Sequence, residues 1–467
     1  MTKKNTLLLL ALWVALPLTL RAQNDMSNFT ATGRGGVINT FATEYQSIGV
    51  NPANLGRAGG ALVSFTIGEF GAGASSQSLT RKQLNNFVYD RSKELTLADK
   101  QALARSFTSD NALNVNASAT TLGLAVNLPV LGGIAVSNRQ RVVGHVALNK
   151  NAAELLFLGR DAPIYVGFDP NSGQVPLVSE VLAGSEVQAS FLNEYNIAWG
   201  KQLISLPLFQ LSAGAGYRYV QGFGVLDIRV QPGDLRAYSS LSPVFNIDYS
   251  SIIAGSPSFN AQVGGGLERT GTGHGFDLGL AAEIGKAVRV GLSVTDLGHM
   301  TWEGNLLSAN DQKLKKLNSA GVGTYDFFKE ASEIFASGTD SLFQYEAGQS
   351  RRANLPAKLR AGAGLRISEF FETGLDVTLP LNKVAGNIIS PFVGVGLDYK
   401  PKHWIRLSSG VSGGAGYRVS IPLGITFVSK VYEAGISTRD VPGLLTSKNP
   451  YLSAAAGFLR FRFGKAD

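Results

Sequence analysis

Hydrophobic positions along this chain alternate with glycine, serine and charge in segment after segment. From 359 to 367 the odd positions are Leu359, Ala361, Ala363, Leu365 and Ile367, and the even ones are Arg360, Gly362, Gly364 and Arg366. The same split sets Val288, Val290, Leu292 and Val294 against Arg289, Gly291, Ser293 and Thr295, and sets Leu423, Ile425 and Phe427 against Gly424 and Thr426. Alternate side chains of a strand face opposite sides of a sheet. Each segment therefore has one apolar face and one face of Gly plus charge. A soluble antiparallel sheet alternates too, so a single segment decides little. The repetition, always with this pairing of faces, predicts an all-β transmembrane antiparallel barrel, apolar outward and polar inward. Closure also satisfies every backbone N–H and C=O without water.

About fourteen strands are predicted, near 62–70, 117–128, 132–143, 186–201, 209–230, 275–285, 287–297, 357–367, 369–380, 391–400, 404–411, 415–428, 430–438 and 451–464. Every second connection is short, and most of the others are long. Outer-membrane barrels show this alternation of short periplasmic turns and long external loops. The region 231–274 has room for a further hairpin, which would make sixteen strands. Within the long loops, Arg81–Phe107 reads as one or two short amphipathic helices and Leu314–Phe335 as another.

Composition narrows the field from outside. Of 467 residues 55 are Gly, and only 16% are charged, against roughly 25% in ordinary soluble domains. A mean hydropathy of +0.08 is high for a soluble chain and low for a helical membrane bundle. With zero Cys, disulfide scaffolds, Cys nucleophiles and a lipoprotein anchor are excluded. Lys3 and Lys4 followed by the apolar run Leu7–Leu20 read as a secretory signal cleaved after Ala22. Its removal lowers the formal charge from +8 to +5, so the basicity does not argue for nucleic acid. The expected organisation is a signal peptide over 1–22, an N-terminal plug over 23–60 and a barrel over 61–467. Both termini are expected in the periplasm of a Gram-negative cell.

Catalytic chemistry is not indicated. His145, His274, His299 and His403 are scattered without metal spacing, no nucleophile elbow has its triad context, and no cofactor motif sits before a helix. The informative polar set is the inward charge: Arg218, Arg289, Arg360, Arg366, Arg406 and Arg418, with Asp277 and Asp376. Arg460, Arg462, Asp248, Glu283, Glu372 and Asp398 extend it. Two readings stay open for this set. It forms either a ladder that orients a solute or Arg–carboxylate pairs that fill the lumen and hold the plug. Asn51, Pro52 and Ala53 make a rigid turn, because Asn closes onto nearby backbone and Pro fixes φ. That turn serves either to seat the plug or simply to lead into the first strand. Asp296 is expected to accept local backbone N–H groups, and Trp302 to occupy a wet aromatic interface.

Three stretches carry a family resemblance. Ser47–Gly56 with its Asn51-Pro52-Ala53 resembles the segment that follows the plug in fatty-acid-transporter-like (FadL-like) outer-membrane barrels and their PorV-type relatives. Phe276-Asp277-Leu278-Gly279, then Asp296-Leu297-Gly298 and Trp302, look like a Bacteroidota barrel family of unassigned function. Leu355-Pro356 and the Phe461-Arg462-Phe463-Gly464 ending complete the match. The FadL-like resemblance implies a fourteen-stranded plugged barrel in outer-membrane lipid that passes hydrophobic small molecules. The PorV-type resemblance implies instead a non-catalytic adaptor for secretion-complex proteins. A lined apolar pocket between plug and wall, near Asn51–Leu55, is what the transport reading expects.

Overall fold

A computed structural model describes residues 28–107, 112–247, 265–326, 342–388, 390–415 and 417–464. The signal-peptide segment and Asp248 lie outside the described residues.

Strand β1 (Val63–Thr66) and strand β2 (Glu69–Ser76) share one ring position, broken at Ile67-Gly68 where Gly68 takes φ 81. Next come β3 (Ala112–Leu128), β4 (Gly132–Ala147), β5 (Glu186–Leu206) and β6 (Phe209–Gln231), then β7 (Asp234–Leu241). They are followed by β8 (Gly271–Ile284), β9 (Val288–Trp302), β10 (Leu306–Asn310), β11 (Gln344–Ala347), β12 (Arg351–Asn354) and β13 (Lys358–Arg366). The last are β14 (Phe371–Pro380), β15 (Phe392–Lys402), β16 (Ile405–Gly414), β17 (Tyr417–Ser420), β18 (Leu423–Val428), β19 (Tyr432–Thr438) and β20 (Tyr451–Phe463). All pairings are antiparallel, and Val63 opposite Phe463 closes the ring. It is a closed barrel of 14 strands, with β7, β10 and β11 outside the ring. β12 with β13, and β17 with β18, each form one broken ring position. Pro356 and Pro422 lie in those breaks, and a proline has no N–H to give the ladder.

Before β8 begins at Gly271, the described residues of 231–274 contribute β7, which pairs with the outer end of β6 and with β10 and is not a ring strand. Six hairpins between ring strands, all at one end, turn in two to four residues; at the other end the β16–β17 connection is also short. Long loops gather at the other end.

Outward positions carry the apolar face: Leu423, Ile425 and Phe427 are exposed at 44–46% beside buried Thr426. At the short-turn end aromatic rings stack across strands, with Phe65 and Phe461 5.1 Å apart and Phe371 and Tyr399 4.7 Å apart, as in the aromatic girdle of a membrane barrel.

Above the ring the long loops build a second layer with its own apolar core. Helix α1 (Arg81–Tyr89) and helix α2 (Leu97–Ser106) begin at Thr80 and Thr96, each closed by a capping box. Helix α3 (Lys150–Leu158) starts at Asn149, whose side chain accepts the Ala152 N–H. Phe107 stacks on Phe157 with centroids 5.8 Å apart, and Leu103, Leu155 and Leu156 are buried around them. Residues 314–326 form no helix; Leu314, Leu317 and Val322 pack into this core from an extended segment. The remainder of the expected Leu314–Phe335 helix lies outside the described residues.

Candidate functional site

Residues 28–60 sit inside the ring. The lumenal wall receives them through glycine. A Cβ on Gly214 would lie 2.5 Å from the Ala53 nitrogen, and one on Gly435 or Gly457 would lie 2.6 Å from the Phe29 ring. The inward glycines are therefore the contact surface for this inner segment, its backbone at Gly214 and its Phe29 ring at Gly435 and Gly457. This accounts physically for much of the Gly excess, since any larger residue there would have to displace the segment.

Asn51 caps a single-turn 3-10 helix, Pro52–Gly56, by accepting the Ala53 N–H at 3.1 Å. Its amide nitrogen donates to Asn39 Oδ1 at 2.9 Å and to the Leu280 carbonyl at 3.0 Å. The Asn51-Pro52-Ala53 turn thus fastens one half of the inner segment to the other and to β8. Asp376 accepts the N–H groups of Ile38 and Asn39, both at 2.6 Å. Arg34 pairs with Asp398 at 2.8 Å, Arg460 with Glu44 at 3.0 Å, and Tyr45 donates to Glu69 at 2.6 Å. Wall strands on all sides of the ring take part.

Arg218 is the centre of a second network. It is fully buried and binds Asp277 at 2.9 Å, Glu194 at 3.3 Å, and Asp296. Glu194 also takes Arg139 at 2.8 Å. The β8–β9 register shifts between Phe276 and Leu278, and Asp296 has φ 60; a bulge of this kind re-aims side chains, and here Asp277 and Asp296 converge on Arg218. Asp296 therefore binds Arg218 two strands along the same wall, past β8, rather than a local turn. Gly298 lies against the His274 carbonyl, where a Cβ would clash. Trp302 is buried, not at a wet interface, because at the end of β9, between Gly271 of β8 and Arg351 of β12, its indole packs over Gly222 and Gly271.

The other inward charges divide. Arg406 pairs with Glu433 at 3.3 Å and Arg360 is buried opposite Ser293 and Thr378. Arg289 and Arg366, near the short turns, pair with Glu283 at 3.4 Å and with Glu372 at 2.8 Å. Arg418 departs from its expected lumenal place: it is exposed on β17, beyond the break at Pro422. Glu194, Arg139, Glu69 and Glu433 belong to the networks although sequence reasoning passed over them. Alternation with Tyr195, Ile197 and Trp199 marks Glu194 as inward.

Three cavities matter. Between plug and wall, Tyr45, Glu69, Arg139 and Arg360 line only about 40 Å³, too small for an organic solute. Next to Asn54 and Leu55, about 450 Å³ opens toward the short-turn end, and its mixed lining includes five basic side chains. The apolar pocket expected near Asn51–Leu55 is instead at the long-loop end. It encloses about 200 Å³ between β4, β6, β7, β10 and α3, lined by Val146, Leu156, Leu226, Ile228, Leu307 and Phe343. Among the described residues no three His, Cys, Asp or Glu side chains are grouped to hold a metal ion.

Several solved structures are similar to this chain. The Pseudomonas putida toluene transporter TodX is similar over 95% of this chain and 98% of its own, at 10% identity and a TM-score of 0.45. The Ralstonia pickettii toluene transporter TbuX is similar over 95% and 99%, at 10% identity and 0.44. A Pseudomonas aeruginosa FadL homologue is similar over 95% and 100%, at 13% identity and 0.44. No curated protein matches the sequence. The family described as "Family of unknown function (DUF5723)" matches residues 52–429, from the Pro52 turn through β18, and the chain belongs to that family.

Proposed function

We propose that this chain is a non-catalytic outer-membrane barrel through which small hydrophobic molecules move passively, with residues 23–60 as its plug. The carrying observation is the apolar pocket at the long-loop end, where Leu226, Ile228 and Phe343 line about 200 Å³. Soluble or purely structural loops have no need of a concave apolar site above a membrane ring, whereas ligand sites are concave and mostly apolar. The apolar outer face and stacked aromatics support residence in outer-membrane lipid. In this reading the short turns, and with them the paired ends at Val63 and Phe463, face the periplasm. The lumenal charges serve to hold the plug, which favours paired filling of the lumen over a solute ladder.

The test is binding of an apolar fluorescent probe to the purified full chain in detergent. Saturable enhancement is expected, and Ile228→Glu should weaken it about tenfold or more, since an ionised group in the pocket is strongly disfavoured. Unsaturable partitioning, or equal binding by parent and variant, would remove the basis of the reading.

A second reading rests on the ordered outer layer, whose packed helices α1–α3 offer a surface of the kind an adaptor in a secretion complex would present. Co-purification of large secretion subunits with the full chain, lost on deletion of 81–107, would favour it.

A further inference from the structure

The cavity at the short-turn end has no part in the transport reading. Its volume of about 450 Å³ falls within the range of roughly 300–1,000 Å³ that small-molecule sites occupy. Arg57, Lys286, Arg289, Arg366 and Arg462 line it, opposed by the carboxylates Glu44 and Glu283 alone. Both carboxylates are already shared. Glu283 accepts from Arg57 at 3.0 Å and faces Arg289 at 3.4 Å, while Glu44 accepts from Arg462 at 2.7 Å and Arg460 at 3.0 Å. Positive charge is therefore in excess. It comes from separate elements: the plug's exit, the β8–β9 turn, β9, β13 and β20. The guanidinium groups are partly withdrawn from water, with side-chain exposure of 11% for Arg57 and 23% for Arg289. A concave, partly desolvated cluster of one sign concentrates ligands of the other, and the guanidinium fork matches planar carboxylate and tetrahedral phosphate oxygens.

We propose that this cavity is a binding site for a small oxyanion bearing carboxylate or phosphate groups. Such a ligand would share Arg57 with Glu283 and Arg462 with Glu44, two of the ion pairs that tie the plug to the wall. Glu44 has φ 58, a region that a non-glycine residue rarely adopts. Its position is set by the two arginines that grip it, so an anion drawing on Arg462 acts directly on that grip.

The test is calorimetric titration of the full chain in detergent at low ionic strength, with citrate in one arm and inorganic phosphate in the other. Saturable binding is expected in at least one arm, and the arm that responds tells carboxylate from phosphate preference. The Lys286→Gln/Arg289→Gln double variant should bind about tenfold or more weakly, through lost charge-assisted contacts. Lys286→Gln alone, in an exposed turn, should weaken binding less. Arg236→Gln, on the outer hairpin, should leave it unchanged. Heat-modifiable gel migration establishes that each variant is folded. Absence of saturable binding in both arms, or equal affinity in the parent and in both lysine variants, overturns the proposal. Because the titration reads binding and not flux, a failure of the transport reading leaves this result standing on its own.

Discussion

The lumen and the outer layer are built from the same strands by opposite means. In the lumen, glycine lets backbone touch backbone, and buried charges are matched partner by partner around Arg218 and around the plug. In the outer layer, beginning where β4, β5 and β6 overrun the ring, the same strands turn apolar and meet Leu156, Leu307 and Phe343. The difference teaches where the molecule is specific and where it is adaptable. Buried ion networks tolerate no missing member, because a lost partner leaves an uncompensated charge. An apolar pocket is non-directional and admits any solute of suitable size.

The sharpest way to break the comparison is Glu194→Ala. It removes the buried carboxylate that Arg139 and Arg218 share at 2.8 and 3.3 Å and that Arg141 also meets. Unfolding stability in urea should fall by about 3–5 kcal/mol, while any variant that folds should keep probe binding at the outer pocket. Gly214→Val comes next. Its side chain would enter the space of Pro52 and Ala53, at a cost of about 1–3 kcal/mol for overpacking. Raised single-channel conductance is expected as the inner segment loosens, and parent-like conductance would show that the glycine contact does not seat it. The smallest effect belongs to the outer layer. Thr96→Ala removes the cap of α2 and should cost about 1 kcal/mol locally, read as faster amide exchange over 97–106 with no change in conductance. Hydrogen bonds from the Thr96 hydroxyl and backbone hold the Asp99 carboxyl below its ordinary pKa. A lowered folded-state pKa means that this contribution is complete above the usual aspartate range. It is lost as the pH falls through the folded value, so the protection factors of the α2 amides, taken against the intrinsic exchange rate at each pH, should fall in acid.

Legibility follows the same division. The ring was readable because a strand with an apolar outer face and a polar inner one must show them as period-two alternation, and Leu359–Ile367 does so without exception. The fourteen expected segments each correspond to one ring position. The Arg218 network was readable in its members but not in its geometry, since the bulge at Phe276/Leu278 that swings Asp277 and Asp296 together carries no periodic signal. Trp302 and Arg418 were misplaced for a common reason. Alternation gives the side of a sheet and not what packs on it at a strand's end: Trp302 closes β9 over Gly222 and Gly271, and Arg418 lies on β17 beyond the break at Pro422. The outer pocket was not readable at all. It depends on contacts among Val146, Leu226, Leu307 and Phe343, which are far apart in sequence and come from β4, β6, β10 and the segment before β11.

The most direct test of the central claim is initial uptake of a radiolabelled, uncharged aromatic solute by Gram-negative cells whose lipopolysaccharide leaflet slows its entry. Cells expressing the parent chain should take up the solute faster than vector controls, and Ile228→Glu, expressed and heat-modifiable to the same extent, should return uptake to the control rate. Equal uptake by parent, variant and control would contradict the claim that this barrel conducts hydrophobic molecules from the outer pocket.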